Sequence, residues 1–263
     1  MTRRERVLFG LGRRGWTKDS VAGGAAAAVP RGLRVYAVGD VHGRLDLLDR
    51  LLATVADDAA SAPELVKYLV FLGDYVDRGP ESAGVIDRLA AGPPPGFGAV
   101  HLKGNHEQAL IQFLDDVSVG PGWLKFGGRE TLASYGVPPP PATAPREVLG
   151  VIQRQLSARL PDTHRRFLAD LRPYVAIGDY LFVHAGIRPG VPLADQGERD
   201  FLWIRKDFLD SDEDLGAVVV HGHTIREAPE VRHNRIGIDT GAYASNRLTC
   251  LVLEGTERRF LST

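Results

Sequence analysis

The chain has 263 residues, and its 32 lysines and arginines against 33 aspartates and glutamates leave a formal net charge of −1. The 44% hydrophobic and 25% charged residues exclude a fibrous or disordered chain, and the near-zero net charge argues against a nucleic-acid partner. A single cysteine excludes an internal disulfide, and no apolar run approaches the roughly 20 residues of a membrane helix, so we expect a cytoplasmic location.

Residues 1–32 differ from the rest of the chain. The first 14 residues carry five arginines against one glutamate, and residues 22–28 are only alanine and glycine. Glycine and arginine interrupt the apolar residues 7–9, which are therefore too few for the 7–15-residue core of a secretory signal. We predict a basic, Ala/Gly-rich N-terminal tail over 1–32, with a membrane-surface or partner-docking arm as the alternative.

Short apolar runs then alternate with segments in which apolar residues recur every three or four positions. This alternation predicts strands over 34–38, 69–72 and 99–102, and helices over 45–55, 83–91 and 108–114. Strands that alternate with helices are typical of an α/β layered fold.

The second half of the chain is less regular. Four consecutive prolines at 138–141 predict a surface loop or a short polyproline stretch. Helices are predicted over 146–160 and 162–171, followed by strands over 174–177, 181–183, 218–220, 236–238 and 248–253, with a hairpin turn at Gly178-Asp179. No internal repeat is visible, so we predict one domain over 33–263.

Polar residues and glycines follow five of the predicted strands. In α/β folds, side chains at strand ends project from a rigid element into a crevice. The five clusters are Gly39-Asp40-Val41-His42-Gly43, Gly73-Asp74-Tyr75-Val76-Asp77-Arg78-Gly79, Gly104-Asn105-His106-Glu107, His184-Ala185-Gly186 and Gly222-His223-Thr224. Any one of these clusters alone is more simply explained as a turn or as a core histidine than as a metal site. Together they predict a metal site.

The candidate ligands are six oxygen or nitrogen donors: Asp40, His42, Asp74, Asn105, His184 and His223. Six are too many for one four-coordinate zinc ion with an open position. They suit two cations about 3.5–4 Å apart that share one carboxylate, which is an arrangement for in-line displacement at phosphorus. Since no thiolate is among them, Mn, Fe, Zn or Mg is favoured over soft metals.

In this order, the five clusters resemble the signature of the calcineurin-like metallophosphoesterases, and within them the phosphoprotein phosphatase branch with its compact bacterial and phage members. The resemblance runs from about Leu33 to Leu253. It implies a four-layer α-β-β-α sandwich with the metal site at the C-terminal ends of the strands. It also implies a serine/threonine protein phosphatase that uses two divalent cations, with Mn²⁺ as first choice, on a phosphoprotein or phosphopeptide.

The resemblance implies a role for each matching residue. Asp40 and His42 would hold the first cation, Asp74 would bridge both, and Asn105, His184 and His223 would complete the second. A hydroxide that bridges the cations would attack phosphorus directly, because coordination lowers the pKa of water to about 7.

The other implied roles concern protons and phosphate. His106, oriented by Asp77, would protonate the serine or threonine alkoxide as it leaves. Phosphate would be held by Arg78, Asn105 and Arg205, the last because Trp203-Ile204-Arg205 is similar to the segment that supplies the family's second phosphate-binding arginine. The alternative for Arg205 is an ordinary surface arginine.

Two features depart from the wider superfamily. Many of its phosphodiesterases carry a second histidine where this chain has Ile225, so we expect the first cation to retain extra water. His221 receives no role. The chain also ends soon after its last predicted strand, so substrate recognition is expected from loops such as 120–135 and from the region around 195–208.

The nearest alternative function is a dinucleoside polyphosphate hydrolase, from a sister branch with the same metal motifs, or a broad small-molecule phosphoesterase. That branch typically lacks the Asp of the Asp77-Arg78 pair and has Asp where this chain has Glu107. On these two residues, the sequence favours the phosphatase. An inactive adaptor is disfavoured because all the predicted ligands and the acid are present.

Overall fold

The computed structural model describes residues 26–263, so residues 1–25 of the predicted tail lie outside the described residues. Ala27 and Val29 are buried against the inner core of the domain. The amide of Val29 donates to Gly255 O at 2.9 Å, and the amide of Ala28 donates to Asp179 Oδ2 at 2.9 Å. The packed part of the chain therefore extends to the N-terminal side of Leu33.

The strands and helices alternate in the first half of the described chain. The strands are β1 Leu33–Val38, β2 Val66–Phe71, β3 Phe97–His101, β4 Tyr174–Ile177, β5 Tyr180–Val183, β6 Val218–His221, β7 Glu230–Val231, β8 Arg235–Gly237, β9 Thr249–Glu254 and β10 Glu257–Ser262. The α-helices are α1 Leu45–Ala60, α2 Ser82–Ala90, α3 Asn105–Asp115, α4 Gly120–Trp123, α5 Arg129–Ser134, α6 Arg146–Arg159, α7 Asp162–Ala169, α8 Glu198–Trp203, α9 Lys206–Leu209 and α10 Ala242–Ser245.

Two five-stranded sheets form the centre of the domain. The first has the order β10-β9-β1-β2-β3, in which β1, β2 and β3 are parallel and β9 is antiparallel to both its neighbours. The second has the order β4-β5-β6-β8-β7, in which β5, β6 and β8 are parallel. The parallel strands of each sheet direct their C-terminal ends, and the residues that follow them, toward one edge.

Three apolar cores separate four layers. Successive residues of β1 face opposite ways: Val35 and Ala37 pack between the sheets, while Tyr36 and Val38 pack under helices such as α1 and α2. A third core joins the outer face of β5 and β6 to α8 and α9. Both faces of the central strands are covered, which explains their nearly continuous apolar runs. The predicted α-β-β-α sandwich is confirmed.

All eight predicted strands are present, and Gly178, with φ +60°, makes the predicted hairpin turn. The four prolines lie outside any helix or strand. The structure adds β7, which has only two residues, and β10, whose charged residues are typical of an edge strand. Within residues 26–263, no helix is both long and apolar enough to cross a bilayer.

The prediction of a loop over 120–135 was wrong, because this segment is largely helical, and the region 195–208 also contains two short helices. The first is rich in glycine and proline, which suggested a loop, but Pro121 stands in the first turn of α4, where a missing N–H costs nothing. Trp123 then anchors the segment, with its ring centroid 4.8 Å from that of Phe113.

A partly buried ion pair network ties the first sheet to α1. The Asp58 carboxylate accepts from Tyr36 Oη at 2.7 Å and Arg259 Nη2 at 2.7 Å, and it contacts Arg34 Nη1 at 3.2 Å. Burial alone would raise the pKa of Asp58, but these partners hold it below its ordinary value.

We expect Asp58→Asn to lower the free energy of unfolding by about 2 kcal/mol, because it weakens hydrogen bonds between charged groups. Since the folded pKa is depressed, this stabilisation is present above the ordinary Asp pKa of about 4 and is lost as the pH falls through the lowered value. Urea unfolding of the wild type and the variant at pH 7 and below pH 3 measures the difference. An equal difference at both pH values would contradict the assignment.

Candidate metal centre

The five clusters meet at one edge of the sandwich because the loops after neighbouring strands bond to one another. The carbonyl of Asp74 accepts from the amides of Val41 and His42 at 3.1 and 2.8 Å, so the loop after β1 is fixed to the loop after β2. Two glycines allow the closest approaches. A Cβ on Gly222 would lie 2.0 Å from Asp40 Oδ1, and one on Gly104 would lie 2.1 Å from Asp74 Oδ1.

Asp74 lies at the middle of the donor atoms. Its Oδ2 is 3.5 Å from His42 Nε2, and its Oδ1 is 3.4 Å from His184 Nε2. His184 Nε2 is in turn 2.9 Å from Asn105 Oδ1 and 3.2 Å from His223 Nδ1. The structure thus brings together the predicted bridging carboxylate and donors on both of its sides.

The histidines are prepared as neutral ligands. His42 Nδ1 donates to Val76 O, and His184 Nδ1 donates to Leu72 O, both at 2.9 Å, so each ring directs Nε2 and its lone pair into the centre. Burial lowers the pKa of His42 to about 3 and of His223 to about 2, and it also lowers that of His184.

The donor set fits divalent cations. Within residues 26–263, Asp40 Oδ1, His42 Nε2 and His223 Nε2 are among the few buried side-chain atoms with no hydrogen-bond partner. Burial raises the pKa of Asp40, and the carboxylates of Asp239 and Asp74 raise it further, so positive charge is needed to keep these acids ionised together. Two ions that share Asp74 would satisfy both the orphaned atoms and the charge.

Backbone strain is concentrated at the same edge. Six non-glycine residues in the described part of the chain have positive φ, and five of them are His42, Asp74, Asp77, Arg78 and His223. Such conformations cost free energy and persist where the surrounding structure enforces them, typically at functional sites.

A second arrangement fixes the orientation of His106. Its Nδ1 donates to Asp77 Oδ2 at 2.7 Å, and Asp77 also accepts from Trp123 Nε1 at 3.0 Å and Thr131 Oγ1 at 2.6 Å. Burial alone would lower the pKa of His106, but Asp74 and Asp77 raise it above its ordinary value. The ring is therefore suited to hold a proton.

The two predicted phosphate-binding arginines lie at different places around the ligands. Arg78 Nη2 is 3.2 Å from His106 Nε2, and its guanidinium lies 4.7 Å from the ring centroid of Tyr243. Arg205 donates from Nη1 to Thr224 Oγ1 at 3.1 Å, next to the ligand candidate His223.

The sequence interpretation missed Asp239. This carboxylate is buried, its charge raises the pKa of Asp40, and its Oδ1 accepts from the amide of Gly241 at 2.8 Å. Its signal was the same as for the other clusters: a polar residue that follows a strand and precedes a glycine.

His221, which receives no role from the sequence, is a buried core residue. Its ring centroid lies 5.1 Å from that of Phe208, and burial lowers the pKa of His221 to about 4.

Glu107 serves the backbone of the site. Its side chain is fully buried and accepts from the amides of Asp74, Tyr75 and Gly104 at 2.8, 2.7 and 2.9 Å. It therefore clamps two of the ligand-bearing loops together.

Comparison with known proteins agrees with this geometry. Residues 33–245 match the calcineurin-like phosphoesterase family. The chain belongs to this family. Its metal-dependent phosphoesterase chemistry accounts for a cluster of buried aspartates and histidines around Asp74.

Individual relatives of this calcineurin-like phosphoesterase carry different names. An asymmetrical bis(5'-nucleosyl)-tetraphosphatase of Anoxybacillus flavithermus is 25% identical over an alignment of 234 residues. The alignment covers 81% of this chain and 88% of the other. A crystal structure of a putative diadenosine tetraphosphatase superposes with a TM-score of 0.57 and 22% identity, over 90% of this chain and 98% of the other. A serine/threonine phosphatase of Saccharomyces cerevisiae follows with a TM-score of 0.53 and 16% identity, over 88% and 79%. The fold is thus common to both kinds of enzyme.

Proposed function

We propose that this chain is a dinucleoside polyphosphate hydrolase, which cleaves a phosphoanhydride bond of substrates such as diadenosine tetraphosphate. This reverses the preference drawn from Asp77 and Glu107, since the sequence relative that aligns over most of both chains is named a tetraphosphatase. The observation that carries the proposal is a cavity of about 880 Å³ beside the ligands, lined by Trp203 and by four basic residues, among them Arg199, Arg205 and Lys206, against three acidic ones.

The cavity adjoins the metal centre through three of its lining residues. Trp203 lies with its ring centroid 6.2 Å from that of His223, Arg205 bonds to Thr224, and Gln108 stands one turn along α3 from Asn105. A phosphate group at the ligands would therefore have further phosphates within reach of these cations. A phosphomonoester has one phosphate and needs no basic residues beyond the metal centre, whereas a polyphosphate chain has further phosphates for them to bind.

The side chains around the reacting phosphate have distinct tasks. Two divalent cations held by this donor set would activate water for attack at phosphorus and offset charge on the phosphate oxygens. Arg78 presents a guanidinium fork to the non-bridging oxygens. His106 Nε2, which accepts from Arg78 in this structure, would carry the proton for the departing oxygen once Arg78 binds phosphate, while Asp77 keeps the ring in place.

One observation favours a second candidate, the phosphoserine/phosphothreonine phosphatase. The His106–Asp77 pair, 2.7 Å apart, is an acid of the kind that an alkoxide leaving group requires. A nucleotide that leaves through a phosphate oxygen is a much weaker base, so it depends less on such an acid.

We expect the purified full-length chain with Mn²⁺ or Mg²⁺ to show a kcat/KM for diadenosine tetraphosphate at least about tenfold above that for a phosphothreonine peptide. The tenfold margin corresponds to about 1.4 kcal/mol of additional transition-state binding by the cavity. Chromatography of the products measures nucleotide cleavage, and phosphate release measures peptide cleavage. A clear preference for the phosphopeptide would overturn the proposal in favour of the second candidate.

A further inference from the structure

We propose that Trp203 is a stacking platform for one nucleobase of the substrate, with Arg199, Arg205 and Lys206 holding the phosphates between that base and the metal centre. This inference rests on the proposed function and names the subsite that recognises the nucleoside. The argument depends on the exposure of Trp203, on how its indole is held and on the charges beside it.

Trp203 is 45% exposed, although it closes a helix whose neighbouring residues are core. Phe201 and Leu202 of α8 are buried against the second sheet, so the apolar contacts of this helix are satisfied without the indole. An exposed indole beside a functional site offers a face on which a planar ligand can stack.

The indole is held by its edge. Its Nε1 donates to Gln108 Oε1 at 2.8 Å, and its ring plane lies at 83° to that of His223. Gln108 belongs to α3, the helix that begins with Asn105, so the platform is positioned by the same element as a metal ligand. The hydrogen-bonding group of the indole is therefore occupied, and a flat π-face remains for a flat partner.

The charges beside the platform are not neutralised. Each acidic side chain of the cavity already lies beside another cation: Glu198 pairs with Lys103 at 3.1 Å, while Asp200 and Asp207 lie 2.7 and 4.0 Å from Arg188, a fourth basic residue of the lining.

The remaining cations have no such partner. Among residues 26–263, no carboxylate lies within 4.0 Å of the charged groups of Arg199, Arg205 or Lys206, which all line the cavity. Three free cations next to an exposed indole match a ligand that combines several phosphates with a planar base. An acidic phosphopeptide would satisfy the cations but would leave the indole face unused.

The experiment compares two ligands that share a diphosphate and differ by the nucleoside. We expect ADP to bind the Mn²⁺-loaded protein more tightly than inorganic pyrophosphate, as measured by titration calorimetry. Trp203→Leu should weaken ADP binding by about 10- to 100-fold, the range measured for loss of one stacked base, and should affect pyrophosphate much less. Trp203→Phe, which retains an aromatic face, should keep most of the ADP affinity.

Two outcomes would overturn the platform: ADP that binds no more tightly than pyrophosphate, or equal losses of both ligands in Trp203→Leu. The second outcome would mean that the indole supports the centre through His223. Turnover of diadenosine tetraphosphate by the wild type is measured separately. If ADP shows the expected pattern but the dinucleotide is not cleaved, the proposed function fails and the nucleotide subsite stands.

Discussion

Asp74→Asn is expected to reduce turnover by about 10³-fold or more and to lower the bound metal below two ions per chain. Both effects follow from the position of Asp74, whose two oxygens face His42 on one side and His184 on the other. The cations that this carboxylate shares would stabilise the charge on the phosphate in the transition state by several kcal/mol. Loss of about 4 kcal/mol of this stabilisation corresponds to a rate about 10³-fold lower.

The substitution is also expected to leave the fold intact. The asparagine oxygen can still accept from the amide of His106, which bonds to Asp74 Oδ1 at 3.1 Å. Loss of one negative charge also relieves repulsion of the buried Asp40, whose pKa is raised by its neighbours. Elemental analysis of the purified protein gives the metal content, and a thermal melt reports folding.

Asp57→Asn is the matched control, since Asp57 is exposed on α1 and the chemical change is the same. It should retain both metal and activity. An Asp74→Asn protein that binds two ions with unchanged affinity would contradict a shared ligand.

The ligand positions could be predicted from sequence because each depends on short-range geometry. Asp40, Asp74 and His184 each lie within about three residues of the end of an apolar strand, and the parallel strands of a layered fold bring those ends together without further information. The glycines in the five clusters indicate places where chain segments approach closely, as the structure shows at Gly104 and Gly222.

What escaped prediction depends on long-range packing. Asp239 reaches Asp40 only because the second sheet, which contains β8, packs against the first, and the order of strands is not written in any local pattern. The support of Asp77 by Trp123 and Thr131 spans 46 and 54 residues. It comes from a helical segment whose glycines and prolines made it resemble a loop.

The sequence-based preference between the two functions depends on two residues that do not face the cavity. Glu107 discriminates between the branches in sequence, but its carboxylate is buried and bonds to the backbone of the loops. Asp77 faces His106 and is likewise shielded from solvent. Neither residue contacts the part of the cavity where a nucleoside and a peptide would differ. Specificity is better sought at Trp203 and the cations beside it.

His106→Asn is expected to slow turnover by roughly 10²–10⁴-fold for alkyl phosphates such as a phosphothreonine peptide, because no other positioned acid replaces the imidazole. For diadenosine tetraphosphate and p-nitrophenyl phosphate the loss should be smaller, since their leaving groups accept negative charge more readily. Steady-state rates of the variant and the wild type on all three substrates measure this dependence. Equal slowing of the three would show that His106 is not the leaving-group acid.

The metal content of His106→Asn distinguishes a leaving-group acid from a metal ligand, which is the other role that the geometry allows for His106. His106 Nε2 lies 3.9 Å from Asp74 Oδ2, and His42, Asp74 and His106 form one of the two clusters in residues 26–263 that are close enough to hold an ion. If His106 were a ligand, His106→Asn would lose metal as Asp74→Asn does. We expect the variant to keep both ions, because the raised pKa of His106 favours a proton over a cation. The neutral His42, His184 and His223, whose pKa values are all lowered, are the better ligands on the same physical grounds.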